Sequence, residues 1–195
     1  MVELTVARSE LILGGQKSGK SRRAEQLAAA WLTHSPAHRA VLIATAQAHD
    51  DEMRARIARH QRERAERVPG MTTLEAPRDL PTAIAQAGGA DTLHIVDCLT
   101  LWLTQQLMPL EDSGPNRPPA PDWRAQTALF IEAIRACPGP IVLVGNEIGL
   151  GVIPLGREVR AFVDALGTLN QQVAAACERV TLMAAGLPLT LKGQP

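Results

Sequence analysis

The chain is poor in cysteine, lysine and aromatic residues, and it carries no net charge. Its three cysteines, Cys98, Cys137 and Cys177, are scattered and odd in number, with no C-x-x-C pair. That pattern argues against structural disulfides and zinc, and it points to a reducing compartment. Lysine plus arginine and aspartate plus glutamate each number 20, so the formal charge is zero. No global field draws such a chain onto nucleic acid or an anionic membrane. No apolar run approaches the ~20 residues of a membrane span, and the first residues lack the pattern of a secretory leader. The expectation is a cytoplasmic enzyme with no nucleic-acid partner and no membrane span. With 195 residues, 46% of them hydrophobic, residues 1–195 are expected to form one domain with a sizeable core.

Only Lys17, Lys20 and Lys192 are lysines, against 17 arginines. Two of the three fall in one octapeptide, Gly14-Gly15-Gln16-Lys17-Ser18-Gly19-Lys20-Ser21, which matches the phosphate-binding loop G-x-x-x-x-G-K-[ST] in full. Glycines let such a backbone curl so that successive N–H groups point at phosphate oxygens. In this pattern Lys20 reaches the β/γ-phosphates and the Ser21 hydroxyl is offered to Mg²⁺. Leu11-Ile12-Leu13 reads as the end of a buried strand, and Ala24, Leu27, Ala28 and Trp31 follow at helical spacing. A strand, loop and helix in that order set the positive end of a helix dipole under the phosphates. The chain is expected to bind a nucleoside triphosphate or a close relative.

Short apolar runs alternate with helical patterns along most of the chain. Strands are expected at 10–13, 40–45, 92–97, 140–145 and 180–184, with shorter edge strands at 72–75 and 187–191, the last as an antiparallel partner. Helices are expected at 21–33, 50–67, 80–87, 99–108, 122–136 and 157–177, with Asp79 and Asp122 as N-caps. Strands apolar on both faces and separated by helices give a mostly parallel sheet covered on both sides. The expected fold class is therefore α/β, a phosphate-loop, RecA-like sheet flanked by helices with a short antiparallel edge strand. Its ligands belong at the carboxyl ends of the strands. Residues 109–121 break the rhythm with five prolines. They read as a long surface loop within the domain, or else as a boundary or a substrate lid.

Three further segments carry candidate chemistry. A phosphate loop needs a second carboxylate to organise Mg²⁺, usually at the end of a neighbouring strand, and Leu93-His94-Ile95-Val96-Asp97 supplies one. A strand-end aspartate also serves as an N-cap, and the two roles are compatible. From Asp50 to Arg64 acidic residues come first and basic ones later, as the helix dipole favours. There Glu52, Arg56 and His60 share a face. Charge patterning alone reads this stretch either as a solvated, salt-bridged helix or as arginines around a triphosphate with His60 as acid, base or nucleophile. The third is Gly145-Asn146-Glu147-Ile148-Gly149-Leu150-Gly151-Val152-Ile153-Pro154-Leu155-Gly156-Arg157, which emerges from an apolar strand. Its glycines read as close backbone approach to a ligand or as a plain turn. Asp164 and Asn170 on the next helix face the same opening or water.

Together these residues resemble the bifunctional adenosylcobinamide kinase / adenosylcobinamide-phosphate guanylyltransferase family. That family opens with G-G-x-R-S-G-K-S, matched at Gly14–Ser21 except for Lys17 in place of arginine. Its I-A-T and D-x-E-M-x-x-R-I-x-x-H patterns fit Ile43-Ala44-Thr45, then Asp50 to Met53, Arg56-Ile57 and His60. Its N-E-x-G-x-G-x-x-P fits Asn146-Glu147, Gly149, Gly151 and Pro154, and a later run fits Arg157, Phe162, Asp164, Gly167, Asn170 and Gln171. There are departures. Ala65 follows Arg64 where the family has proline, Met71 stands at a tryptophan position, about three residues are inserted before Thr73 and Glu75, and Asp97 replaces the commoner glutamate.

The resemblance implies that His60 attacks the α-phosphate of GTP and holds GMP as a phosphoramidate. It implies catalytic roles for Lys20 and Asp97 and Mg²⁺ held by Ser21 and Asp97. The nucleotide would lie among Gly14–Ser21, Thr45, Ala46, Gln47, Arg56, Gln61, Arg62, Glu63, Arg64, Glu75 and Asp97, with Glu75 toward guanine and Asn146 and Glu147 as a substrate loop. GTP and ATP are the implied nucleotide substrates, a corrinoid is the acceptor, and the assembly is a homo-oligomer, a trimer by the same resemblance. Two other classes fit the phosphate loop alone: a single-function small-molecule kinase, and a non-enzymatic nucleotide-binding module. The missing N-K-x-D motif weighs against an ordinary GTPase switch.

Overall fold

A computed structural model of the chain describes residues 4–47, 51–108 and 122–194. The proline-rich segment 109–121 and Asp50 lie outside the described residues. The strands are β1 (Ser9–Gly14), β2 (Arg39–Ala44), β3 (Met71–Glu75), β4 (Thr92–Asp97), β5 (Ile141–Val144), β6 (Arg179–Ala184) and β7 (Leu187–Lys192). The helices are α1 (Lys20–His34), α2 (Asp51–Arg67), α3 (Leu80–Gln86), α4 (Leu99–Leu107), α5 (Trp123–Ala136) and α6 (Arg157–Ala176). Expected boundaries agree within a residue or so. Asp79 and Asp122 cap α3 and α5, accepting from the Thr82 and Arg124 amides at 3.1 and 3.0 Å.

All seven strands form one sheet in the order β3-β2-β4-β5-β1-β6-β7. Six run parallel, and β7 closes one edge antiparallel to β6. The strand carrying Asp97 is not the immediate neighbour of β1, because β5 lies between them. Alternate strand residues point to opposite faces, which divides the core in two. Leu11, Leu13, Ile43, Val96 and Leu143 pack on one face against residues of α3, α4, α5 and α6, including Trp102, Phe130, Ile134 and Leu169. Ile12, Leu42, Ile95, Val142 and Val144 face the other way, against Ala24, Leu27 and Ala28 of α1 and Val68 just past α2. The first face carries four helices and the buried aromatic pair Trp102–Phe130, with ring centroids 5.2 Å apart. The second is roofed by small α1 side chains that bring the helix close to the sheet. The phosphate loop is therefore fixed from below by β1 and from behind by a closely seated helix.

Candidate active site

The loop between β1 and α1 is built on backbone that only certain residues tolerate. Gly14 has φ +153°, and a Cβ there would lie 2.5 Å from the Met183 carbonyl oxygen and 2.6 Å from Ser18 Oγ. Lys17 (φ +56°) and Gly19 (φ +104°) turn the chain left-handed, as a nest of backbone N–H groups requires. The Gly186 amide donates to the Ser18 carbonyl at 3.0 Å, so the β6–β7 turn braces the loop from the side. Ser18 Oγ is buried without a hydrogen-bond partner among the described residues, a hydroxyl free for an anion in the cradle. Lys20 is buried and its Nζ donates to Gly15 O at 2.6 Å, arching over the loop. Burial pushes its ammonium below the ordinary lysine range, while the Asp97 carboxylate pulls it back up.

Asp97 meets the loop from across the sheet: Ser21 Oγ donates to Asp97 Oδ2 at 2.8 Å. A hydroxyl and a carboxylate side by side are hard oxygen donors, and they fit Mg²⁺ of the kind that completes its shell with water and phosphate. Among the described residues no group of three or more His, Cys, Asp or Glu converges on a metal, so an all-protein cage is not what this edge offers. Thr45 fixes the chain beside Asp97. Its hydroxyl donates to Cys98 O and accepts from Cys98 N, both at 2.8 Å, its amide donates to Asp97 O at 3.1 Å, and its carbonyl accepts from Gln105 Nε2 at 2.8 Å. Thr45 is fully buried, so its side chain is committed to the strand end rather than turned to the opening. Burial, and then the Asp97 charge, push the Cys98 thiol up to about 12, which leaves it protonated and unreactive.

The segment after β5 is held on three sides. The Glu147 amide donates to Gly14 O at 3.1 Å, the Asn146 amide to Thr100 Oγ1 at 3.0 Å, and Asn170 Nδ2 to Asn146 O at 3.0 Å. Asn170 is buried and faces this segment, not water. Farther along, Leu150, Val152, Ile153 and Leu155 stand exposed.

The helix α2 brings the remaining candidates. Arg64 lines a small cleft with Ser21 and Asp97, so one α2 arginine does reach the phosphate-loop corner. His60 lies one turn earlier on the same helix, exposed and without a hydrogen-bond or ion-pair partner among the described residues. The α2 backbone also carries Arg56, one turn before His60; Gln61 and Arg62 are exposed, and Glu63 pairs with Arg67 at 3.2 Å. Glu75 ends edge strand β3, level with Ala44 of β2 and Asp97 of β4. Two strand spacings, about 10 Å, therefore separate Glu75 from Asp97. Ala46 and Gln47 leave the same carboxyl edge between them. Gly15, Gln16 and Lys17 form the exposed lip of the loop.

Sequence reasoning missed the support beneath this corner. Glu10 on β1 and Arg179 on β6, both buried, approach to 3.3 Å, and Thr181 Oγ1 donates to Glu10 Oε1 at 2.8 Å. A charged residue inside an otherwise apolar strand, as in Ser9-Glu10-Leu11-Ile12, was the available signal.

A glycine cradle on a central parallel strand, with a lysine at the helix start and a serine–carboxylate pair beside it, defines a phosphate-loop nucleotide-binding protein. The fold is similar to that of the flagellar accessory protein FlaH of Methanocaldococcus jannaschii, which superposes with TM-score 0.53 at 11% identity, over 97% of this chain and 80% of its own. The family model described as cobinamide kinase / cobinamide phosphate guanyltransferase matches residues 10–191, and the chain belongs to that family. The bifunctional adenosylcobalamin biosynthesis protein CobP of Pseudomonas aeruginosa is 46% identical over 187 residues, covering 95% of this chain and 98% of its own length. The bifunctional adenosylcobalamin biosynthesis protein CobU of Salmonella typhimurium is 36% identical over 189 residues, covering 93% and 98%.

Proposed function

We infer that this chain phosphorylates the side-chain hydroxyl of adenosylcobinamide with ATP or GTP, and then transfers GMP from GTP to the resulting phosphate, both at the Gly14–Ser21 cradle. The observation that carries this reading is the meeting of Ser21, Asp97 and Arg64 in one cleft, because it joins the phosphate loop to the helix that bears His60.

In the kinase reaction the loop amides, Lys20 and the buried Ser18 hydroxyl bind and orient the triphosphate and oppose charge as it spreads over the transferred group. Ser21 and Asp97 are the residues that would hold Mg²⁺, which would supply positive charge to offset that of the triphosphate. In the second reaction the His60 imidazole forms a bond to the α-phosphorus of GTP while the bond from that phosphorus to the α–β bridging oxygen breaks and pyrophosphate leaves. The phosphate of the acceptor then attacks the same phosphorus, the N–P bond breaks, and GMP passes on. Arg56 and Arg64, with Gln61, Arg62 and Glu63 alongside, would surround the triphosphate from α2. Thr45, Ala46, Gln47 and Glu75 belong to the nucleotide side of the same edge, with Glu75 toward the guanine. Asn146 and Glu147 face the acceptor.

The same reading makes the chain one nucleotide-binding domain of a cytoplasmic homo-oligomer, a trimer by family resemblance. Among the described residues no helix is long and apolar enough to cross a membrane. The test uses GTP labelled on the α-phosphate. Label is expected to remain on the denatured protein in an acid-labile form and to be absent from His60→Ala; full guanylyl transfer by His60→Ala would overturn the reading.

A further inference from the structure

The kinase reaction must remove a proton from the acceptor hydroxyl, and the groups assigned so far have other work: Ser21 and Asp97 are the pair that would hold Mg²⁺, and Lys20 is a donor to the loop. We propose that Glu147 is the general base of the phosphoryl-transfer step, a role that rests on the kinase reading above.

The topology puts it in the right place. β5 is the one strand between β1 and β4, so its carboxyl end opens between the phosphate loop and Asp97, about 5 Å from each flanking strand. The Glu147 amide is bonded to Gly14 O, the entry of the cradle, at 3.1 Å. The carboxylate itself is held. Its Oε1 accepts from the Gly149 amide at 3.0 Å, and its Oε2 lies 3.4 Å from Asn170 Nδ2. Asn170 is only 4% exposed, and its amide also bonds Asn146 O, so α6 fixes the segment and orients the carboxylate in one arrangement. The segment is tied to β1, α4 and α6, and the residue whose amide bonds the entry of the cradle is the one that carries the acidic group. Beyond it the exposed Leu150, Val152, Ile153 and Leu155 offer apolar surface to a large acceptor.

The step balances. The acceptor oxygen bonds to the γ-phosphorus, the bond from that phosphorus to the β–γ bridging oxygen breaks, and nucleoside diphosphate leaves. The hydroxyl proton passes to the Glu147 carboxylate and from there to water.

The experiment measures initial rates of adenosylcobinamide phosphorylation with ATP for the parent chain, E147Q and E147A. E147Q is expected to lower kcat about 10²–10⁴-fold, the usual worth of a positioned general base, while KM for ATP stays within about twofold. Added formate, a small carboxylate that can occupy the space left in E147A, is expected to restore a measurable part of its kcat. An E147Q that keeps kcat within a few-fold, a loss confined to KM, or an E147A that formate does not rescue overturns the proposal. A parent chain that shows no kinase turnover overturns the functional reading itself and this assignment with it. The two failures are thereby distinct.

Discussion

The phosphate-loop corner and helix α2 are built on opposite plans. The corner is over-determined. Gly14, Ser18, Lys20 and Ser21 are fixed by bonds from Glu147, Gly186, their own loop and Asp97, and a buried Glu10–Arg179 pair lies beneath on β1 and β6. The described side chains of α2 are mostly exposed, and the helix is tied to α1 by the Arg67–Glu25 contact at 3.1 Å and to the core through Val68 beyond its end. Preorganisation is what a cradle needs, since donors must already point at the phosphate when charge develops. A nucleophile that must first reach one phosphorus and then yield its cargo to a second substrate is better carried on a helix with few fixed contacts. On the proposed function, the contrast separates binding by the cradle from group transfer by His60 on α2.

The sharpest way to test that contrast is to remove the ammonium of the cradle. Lys20→Ala is expected to slow phosphorylation by about 10²–10³-fold, as loss of a single preorganised donor does elsewhere, and to slow formation of the His60 adduct as well, because both reactions use the same triphosphate site. Unchanged turnover in steady-state assays would separate Lys20 from the chemistry.

Beneath the loop, Glu10→Gln leaves the buried Arg179 charge without its partner. It is expected to cost about 3–5 kcal/mol in urea unfolding, whereas Glu10→Leu combined with Arg179→Met and Thr181→Val, which removes the Thr181 donor as well, is nearly neutral. An equal loss from both variants would mean that packing, and not the stranded charge, supports this floor.

The smallest effect belongs to α2. Arg67 is half exposed and its pairs with Glu25 and Glu63 are screened by water, so Arg67→Ala is expected to leave the urea midpoint unchanged. A clear loss of stability would show that α2 is held more firmly than its contacts indicate.

How far the sequence foretold this arrangement depended on how local each signal is. Gly14–Ser21 was legible because the loop is a contiguous backbone device, flanked by a strand and a helix that also declare themselves locally. Asp97 was legible for a similar reason, as the polar end of an apolar run. The order of the strands was not: that β5 separates β1 from β4 follows from long crossovers, and no short window records it. The Glu10–Arg179 pair joins residues at opposite ends of the chain, and Asn170 reaches Asn146 from another element, so neither pairing leaves a pattern. His60 shows the limit most clearly. A salt-bridged helix in water and a helix carrying a nucleophile have the same charge pattern, and it is family resemblance alone that favours the second. Thr45 is a further pairing without a local pattern: its hydroxyl is bonded to Cys98 at the end of β4, 53 positions along the chain.

The account turns on His60 as the carrier of GMP. Peptide mass spectrometry of the parent chain, incubated with Mg²⁺ and GTP and digested without acid, tests it most directly. The account predicts the mass of one GMP residue on the peptide containing His60, lost on brief acid treatment and lost again when the phosphorylated corrinoid is added. An unmodified His60 peptide in a chain that still transfers GMP, or a GMP residue on another side chain, would contradict it.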